Sequence, residues 1–121
     1  MSGLEFLLDT NVVIGHLAGQ AAARTLIQEK NAALGQCAIS QITRMELLSF
    51  PSLTADAQSQ IEEFLSAMTV ILLDDRIEAE AIAFRRRTLL KLPDSIIAAT
   101  AKVHELALLT LDERLLRAVG I

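Results

Sequence analysis

A chain of 121 residues with 52% hydrophobic side chains is sized for one domain with a real core, which excludes intrinsic disorder. Its formal net charge of −4 argues against a broad basic surface that coats nucleic acid, but not against a local nucleic-acid site. Four Phe with no Trp or Tyr make a base-stacking platform a poor fit, and two His with one Cys are too few for a structural zinc cluster. The mean hydropathy of +0.42 raises the question of a membrane span. The longest stretch without Asp, Glu, Lys or Arg, from Thr10 to Ala23, is only 14 residues and contains Asn11, His16 and Gln20. A spanning helix needs about 20 apolar residues, so no span is expected. Met1-Ser2-Gly3-Leu4-Glu5 shows no basic region followed by an apolar run. With Cys37 unable to form an intrachain disulfide, a cytoplasmic protein is expected.

Short apolar runs alternate with helical patterns along a single domain, residues 1–121. Leu4 to Leu8 reads as a buried strand, followed by helices over Asn11–Ala18 and Ala21–Lys30 with Gly19 as the break. Cys37 to Ser40 reads as a second strand and Gln41–Ser49 as a helix stopped by Phe50-Pro51. Thr54–Met68 is the longest helical pattern, with Ile61, Phe64, Leu65 and Met68 on one stripe. Val70–Leu73 reads as a third strand, and Asp75–Thr88 as a helix whose start carries an Asp75-x-x-Glu78 variant of the capping box. Pro93 opens a helix that runs to about Glu105, Leu106–Thr110 is a fourth strand, and Asp112–Val119 a last helix. Strands that alternate with helices, and that are apolar throughout, predict an α/β domain with a mostly parallel sheet covered on both faces.

In such sheets the functional site lies outside the carboxyl ends of the strands. Asp9 directly follows the first strand and Asp112 comes just after the fourth. Asp94 is in the first turn of the helix at Pro93, and Glu46 is four residues after Ile42, at the rim of a buried stripe. Each has an ordinary structural reading. Asp94 and Asp112 suit helix N-termini, Asp9-Thr10-Asn11 suits an Asx turn or cap, and Glu46 could pair with Arg44 or Lys30. Those readings explain the acids singly, not their shared edge. Convergent carboxylates raise one another's pKa unless a cation separates them, and a hard divalent ion takes oxygen ligands of this kind.

Leu7-Leu8-Asp9-Thr10-Asn11-Val12-Val13-Ile14 resembles the opening of PIN-domain ribonucleases. Ile42-Thr43-Arg44-Met45-Glu46-Leu47-Leu48 is similar to their second acidic motif, and Leu92-Pro93-Asp94-Ser95-Ile96-Ile97-Ala98-Ala99-Thr100-Ala101 to their third. Leu108-Leu109-Thr110-Leu111-Asp112-Glu113-Arg114-Leu115 is similar to the fourth, with Leu115 where an aromatic is common. The order and spacing cover nearly the whole chain and resemble the VapC toxins of bacterial toxin–antitoxin pairs. The resemblance implies a PIN-like domain with a four- to five-stranded, mostly parallel sheet flanked by helices. It further implies an endoribonuclease dependent on Mg²⁺ or Mn²⁺, with Asp9, Glu46, Asp94 and Asp112 as catalytic, metal-binding acids. Thr10, Asn11 and Thr110 match polar positions that order the acids or contact phosphate. An ion there would activate water for in-line attack on an RNA phosphate. The implied partners are RNA, a small antitoxin whose basic residue could fill the acidic groove, and a second copy of the chain, through apolar helices near Ile27 or Phe64.

Other readings compete. A haloacid-dehalogenase-like phosphatase wants a second Asp two residues after the first, where this chain has Asn11. A receiver domain wants an acidic pair after its first strand and a lysine after a late one, where this chain has Asp9 alone and Thr110. A PIN-like module that grips RNA or protein without cutting is the remaining alternative. Arg85, Arg86 and Arg87 form a basic run near a helix C-terminus, readable as dipole compensation or as a phosphate contact. Asp74 and Asp75 follow the third strand, with Asp75 read as a cap. His16 and His104 have no nucleophile motif beside them, and Cys37 reads as core packing.

Overall fold

The computed structural model describes residues 3–120. Its parallel strands are β1 (Phe6–Leu8), β2 (Cys37–Ser40), β3 (Thr69–Ile71) and β4 (Ala107–Leu109). The helices are α1 (Thr10–Leu17), α2 (Ala21–Glu29), α3 (Gln41–Leu48), α4 (Ala55–Ser66), α5 (Asp75–Arg87), α6 (Leu92–Val103) and α7 (Glu113–Ala118). A short 3-10 turn over Leu34–Gln36, which hydrophobic periodicity does not announce, leads into β2.

The strand order is β3-β2-β1-β4. From β1 the chain steps outward to β2 and β3, then returns across the sheet to place β4 on the other side of β1. The order therefore reverses between β1 and β4, which is the switch point where open α/β sheets form their crevice. Successive strand residues point to opposite faces and feed two cores. Leu7, Ala38, Ile71 and Leu108 join Ile77, Phe84, Ile97 and Leu115 from α5, α6 and α7. Leu8, Cys37, Ile39 and Leu109 join Val12, Val13, Leu47 and Leu65 from the helices α1, α3 and α4. Ile27 and Phe64 are half-buried against this second core, so part of the stripe expected to meet another copy is used within the chain.

The strands are shorter than their apolar runs. Leu4 and Leu106 are half-buried against the first core without belonging to strands, because burial of an apolar side chain does not require a ladder. Helix α6 begins at Leu92, with Pro93 in its first turn, and ends at Val103 rather than at Glu105. The reason is a Schellman stop. The Leu106 amide donates to Ala101 O at 2.9 Å and the Glu105 amide to Lys102 O at 3.2 Å, with Glu105 at φ 54°. Helix α5 is capped by Asp74, whose Oδ1 accepts from the Ile77 amide at 2.9 Å. This corrects the expectation for Asp75, which is the first helical residue. Asp74 retains the extended backbone a cap requires.

Gly15 of α1 faces Ala23 of α2, where an added Cβ would lie 2.7 Å from the Ala23 Cβ. That close approach lets two short helices turn back on each other. Cys37 is buried with its Sγ donating to Ala33 O at 3.3 Å, and burial pushes the thiol up, consistent with core packing. Among the described residues no helix is long and apolar enough to cross a membrane.

Candidate active site

Strand β1 ends at Leu8, and the chain turns straight into α1 through Asp9. The Asp9 amide continues the ladder by donating to Leu109 O at 2.9 Å, so Asp9 is placed at the β1–β4 switch point by main-chain bonding. Its side chain is 5% exposed. Oδ1 accepts from the Thr10 amide at 2.8 Å, and Oδ2 accepts from the Thr110 hydroxyl at 2.6 Å. The same Thr110 oxygen accepts from the Asp112 amide at 3.0 Å. Thr110 thus ties the ends of β1 and β4 together from behind the acids, and it is itself buried.

Glu46 reaches the same place from α3. Its Oε1 accepts from the Thr10 hydroxyl at 2.7 Å, and no ion pair joins it to Arg44 or Lys30 among the described residues. The Thr10 oxygen also lies 3.0 Å from the hydroxyl of Thr43, which is 0% exposed. A hydroxyl has one proton to give. If Thr10 gives its proton to Glu46, the Thr43 hydroxyl is left to donate to Thr10, and the acid is held by a two-step polar chain. Thr43, buried behind this contact, is not singled out by its sequence neighbourhood as a candidate. The available signal was its place three residues before Glu46 on the same helix.

Asp112 caps α7, accepting from the Arg114 amide at 2.9 Å and the Leu115 amide at 3.4 Å. It also lines the cavity, so the cap and the site use one side chain. Asp94 behaves differently. It lies in the first turn of α6 yet makes no hydrogen bond or ion pair among the described residues, so the capping explanation does not account for it. Asn11 is exposed, and its Oδ1 receives the Leu111 amide at 3.4 Å across the cavity mouth.

Asp9, Glu46, Asp94 and Asp112 all line one open cavity of about 460 Å³, together with Thr10 and Asn11. Ile14 and Phe50 form an apolar part of its wall, and Ser49 adds a hydroxyl. Asp74 and Asp75 do not line it, since β3 is at the far edge of the sheet.

The electrostatics follow from this crowding. Burial pushes the Asp9 carboxyl above its ordinary range, the Thr110 hydroxyl and Thr10 amide counter this, and the charges of Asp94 and Glu46 add to the rise. Burial and then the charge of Asp112 push Asp94 up, against Arg114 and Lys91, which favour its ionised form. Like charges gathered in a partly desolvated pocket call for a cation. Among the described residues, no three acids stand together as a ready-made cage for one ion. Mg²⁺ does not require one, since it keeps several waters and takes one or two carboxylates. An all-oxygen donor set, without sulfur or imidazole, fits Mg²⁺ or Mn²⁺ bound partly through water.

The PIN domain family model matches residues 6–121. The chain belongs to the PIN domain family. This PIN domain is similar to a protein in a toxin–antitoxin complex from Klebsiella pneumoniae, at 32% identity and a TM-score of 0.78, over 89% of this chain and 87% of that one. It shares its fold with FitAcB from Neisseria gonorrhoeae, at 24% identity and a TM-score of 0.73, over 96% of this chain and 94% of that one. It also shares it with VapBC2 from Rickettsia felis bound to a DNA fragment from their promoter, at 21% identity and a TM-score of 0.76, over 95% and 93% of the two chains. No curated protein sequence matches it.

Proposed function

We propose that this PIN domain is a metal-dependent endoribonuclease and the toxin of a toxin–antitoxin pair. One observation carries the nuclease reading: four carboxylates from four separate segments line a single cavity at the switch point of the sheet. The resemblance to a toxin–antitoxin protein at 32% identity supports the biological role.

A divalent ion bound among these acids would supply Lewis acidity toward a phosphodiester oxygen and lower the pKa of a water. The chain's own residues set the stage for that chemistry. Thr110 and the Thr10 amide hold both oxygens of Asp9, so this acid can present only its remaining lone pairs, in a fixed direction. Thr10 holds one oxygen of Glu46, which lines the cavity and whose other oxygen has no hydrogen bond among the described residues. Asp94 has no hydrogen bond to either oxygen among the described residues and a raised pKa, which suits it to orient a water and accept its proton. Asn11 at the mouth can offer its amide N–H groups to a phosphate, because its carbonyl oxygen faces the Leu111 amide. The acidic cavity also suits an arginine from an antitoxin segment, whose guanidinium would pair with carboxylates in place of a cation.

Total bacterial RNA incubated with Mg²⁺ or Mn²⁺ tests the reading without a guess at the target. Discrete cuts that disappear with a chelator and with Asp94→Asn are expected. Intact RNA from folded, antitoxin-free protein would overturn the nuclease reading and favour a binding module.

A further inference from the structure

A second open cavity, of about 380 Å³, lies between the end of α5, the segment that follows it, and α7. Leu89, Leu90 and Ala118 give it an apolar wall, and Arg87, Arg114 and Arg117 bring cations to it. Its wall is a built feature. The Arg85 guanidinium donates to Leu90 O at 2.7 Å, the Leu90 amide donates to Thr88 Oγ1 at 3.2 Å, and the Thr88 hydroxyl donates to Phe84 O at 2.6 Å. Those bonds fix a turn that presents Leu89 at 99% exposure. An isolated leucine thrust fully into water is common enough, but here it stands among three guanidinium groups.

The cations are incompletely neutralised. Arg87 stacks over Phe84 at 4.2 Å and lies 3.9 Å from Glu80, which has a closer partner in Lys102 at 3.2 Å. The Arg117 side chain has no hydrogen bond or ion pair among the described residues. Six of the eleven Lys and Arg in this acidic chain are Arg85, Arg86, Arg87, Lys91, Arg114 and Arg117. The groove also adjoins the acidic cavity. Arg114 lines it while its Nε lies 3.9 Å from Asp112 Oδ1, and the charges of Arg114 and Lys91 both reach Asp94.

We propose that this groove binds the backbone of single-stranded RNA where the strand runs on from the acidic cavity, with arginines on phosphates and Leu89 beneath a base. The proposal rests on the nuclease reading for the strand's route, but not for the contact itself. Charge and continuity select the occupant. A polyanion whose phosphate meets a cation among the carboxylates carries further phosphates along its strand, and this groove is joined to the acidic cavity through the Arg114–Asp112 pair and offers Arg117, which has no ion pair among the described residues. An acidic amphipathic protein segment would match the groove's chemistry, but it would need a positive group at the carboxylates and negative ones in the groove, whereas a phosphodiester strand carries the same charge along its whole length.

The test is fluorescence anisotropy of a labelled single-stranded RNA against the full chain in EDTA, over a range of salt, beside cleavage assays in Mn²⁺. Arg117→Gln should lower the slope of log affinity against log salt by about 0.7, and Arg87→Gln with Arg117→Gln by about 1.4, as for one and two lost phosphate contacts. In Mn²⁺ the same variants should raise KM and leave kcat near that of the unaltered chain. Unchanged slopes and KM in variants that still cut RNA would overturn the groove and leave the nuclease standing. Changed slopes with no metal-dependent cutting by the unaltered chain would overturn the nuclease and leave the groove as an RNA site. RNA binding kept while an acidic helical peptide loses affinity would give the groove to a protein partner and overturn the proposal. Should Arg87→Gln fail to fold for want of its Phe84 contact, Arg117→Gln alone decides the matter.

Discussion

Leu7 and Leu8 are 0% exposed and face opposite cores, while Asp9, the next residue along, closes the same strand with a carboxyl that burial pushes upward. The faces of the sheet and its carboxyl edge are therefore built on opposite terms. On the faces, apolar surface leaves water and stabilises the fold by about 25 cal/mol for each Å². At the edge, carboxylates are brought together and partly desolvated, which costs stability that a bound cation would offset. The faces stabilise the fold and the edge opposes it, so substitutions in the two places should have separable effects.

The largest effect expected is on a face. Phe84→Ala should cost about 3–5 kcal/mol of unfolding free energy, since the ring is 1% exposed and packs among α5, α6 and β-strand residues. Denaturant melts would measure the loss, and the protein that remains folded should keep its kcat at saturating RNA. At the edge, Asp9→Asn should lower cleavage by about 100-fold or more while the fold persists, since outer-shell changes at metal sites already cost 10–100-fold. Activity close to that of the unaltered chain would show that Asp9 is a turn residue only.

Thr110→Val tests the layer between the two regions. Losing the hydroxyl frees Asp9 Oδ2 and the Asp112 amide together, so metal affinity should drop by about 10–100-fold. Calorimetric titration with Mn²⁺ checks this, and unchanged affinity would reduce Thr110 to a packing residue. The smallest effect is in stability without metal. Asp94 has a raised pKa, so the folded state holds its proton above the ordinary value of 3.8 and the unfolded state does not. Stability from this group is present below 3.8 and is lost as the pH rises through the higher folded value. Asp94→Asn removes that loss. In EDTA at neutral pH the variant should melt slightly above the unaltered chain, with the gain fading in acid, and a saturating metal ion should reverse the order. A variant less stable than the unaltered chain at neutral pH would mean that Asp94 supports α6 rather than burdening it.

Much of this was legible in the residues. Apolar runs of a few residues between helical patterns give the order of elements, because strands buried on both faces need no polar alternation. Asp9, Asp94 and Asp112 were legible as candidates because each sits next to a strand end or helix start, and Glu46 because it lies at the rim of a helix's buried stripe. What misled was local chemistry with two equal solutions. Asp74 and Asp75 are both competent caps, and the choice of Asp74 depends on the path of Leu72 and Leu73 away from β3. The end of α6 depended likewise on Glu105 entering a left-handed conformation that favours glycine.

Thr43 and the arginine groove show the deeper limit. Thr43 matters through a hydroxyl of Thr10, and Arg114 and Arg117 through a cavity shared with Arg87, all far apart along the chain. The sequence by itself determined the α/β alternation, the two apolar faces and the candidate acids at a strand end, at helix starts and on a helix rim, since these follow from periodicity and from the chemistry of neighbouring residues. Only the tertiary structure decided that β4 returns beside β1, and with it that Thr110 meets Asp9 across the sheet and that four carboxylates share one cavity. Long-range strand order is set by how helices cover both faces of a twisted sheet, a packing balance that no stretch of neighbouring residues carries.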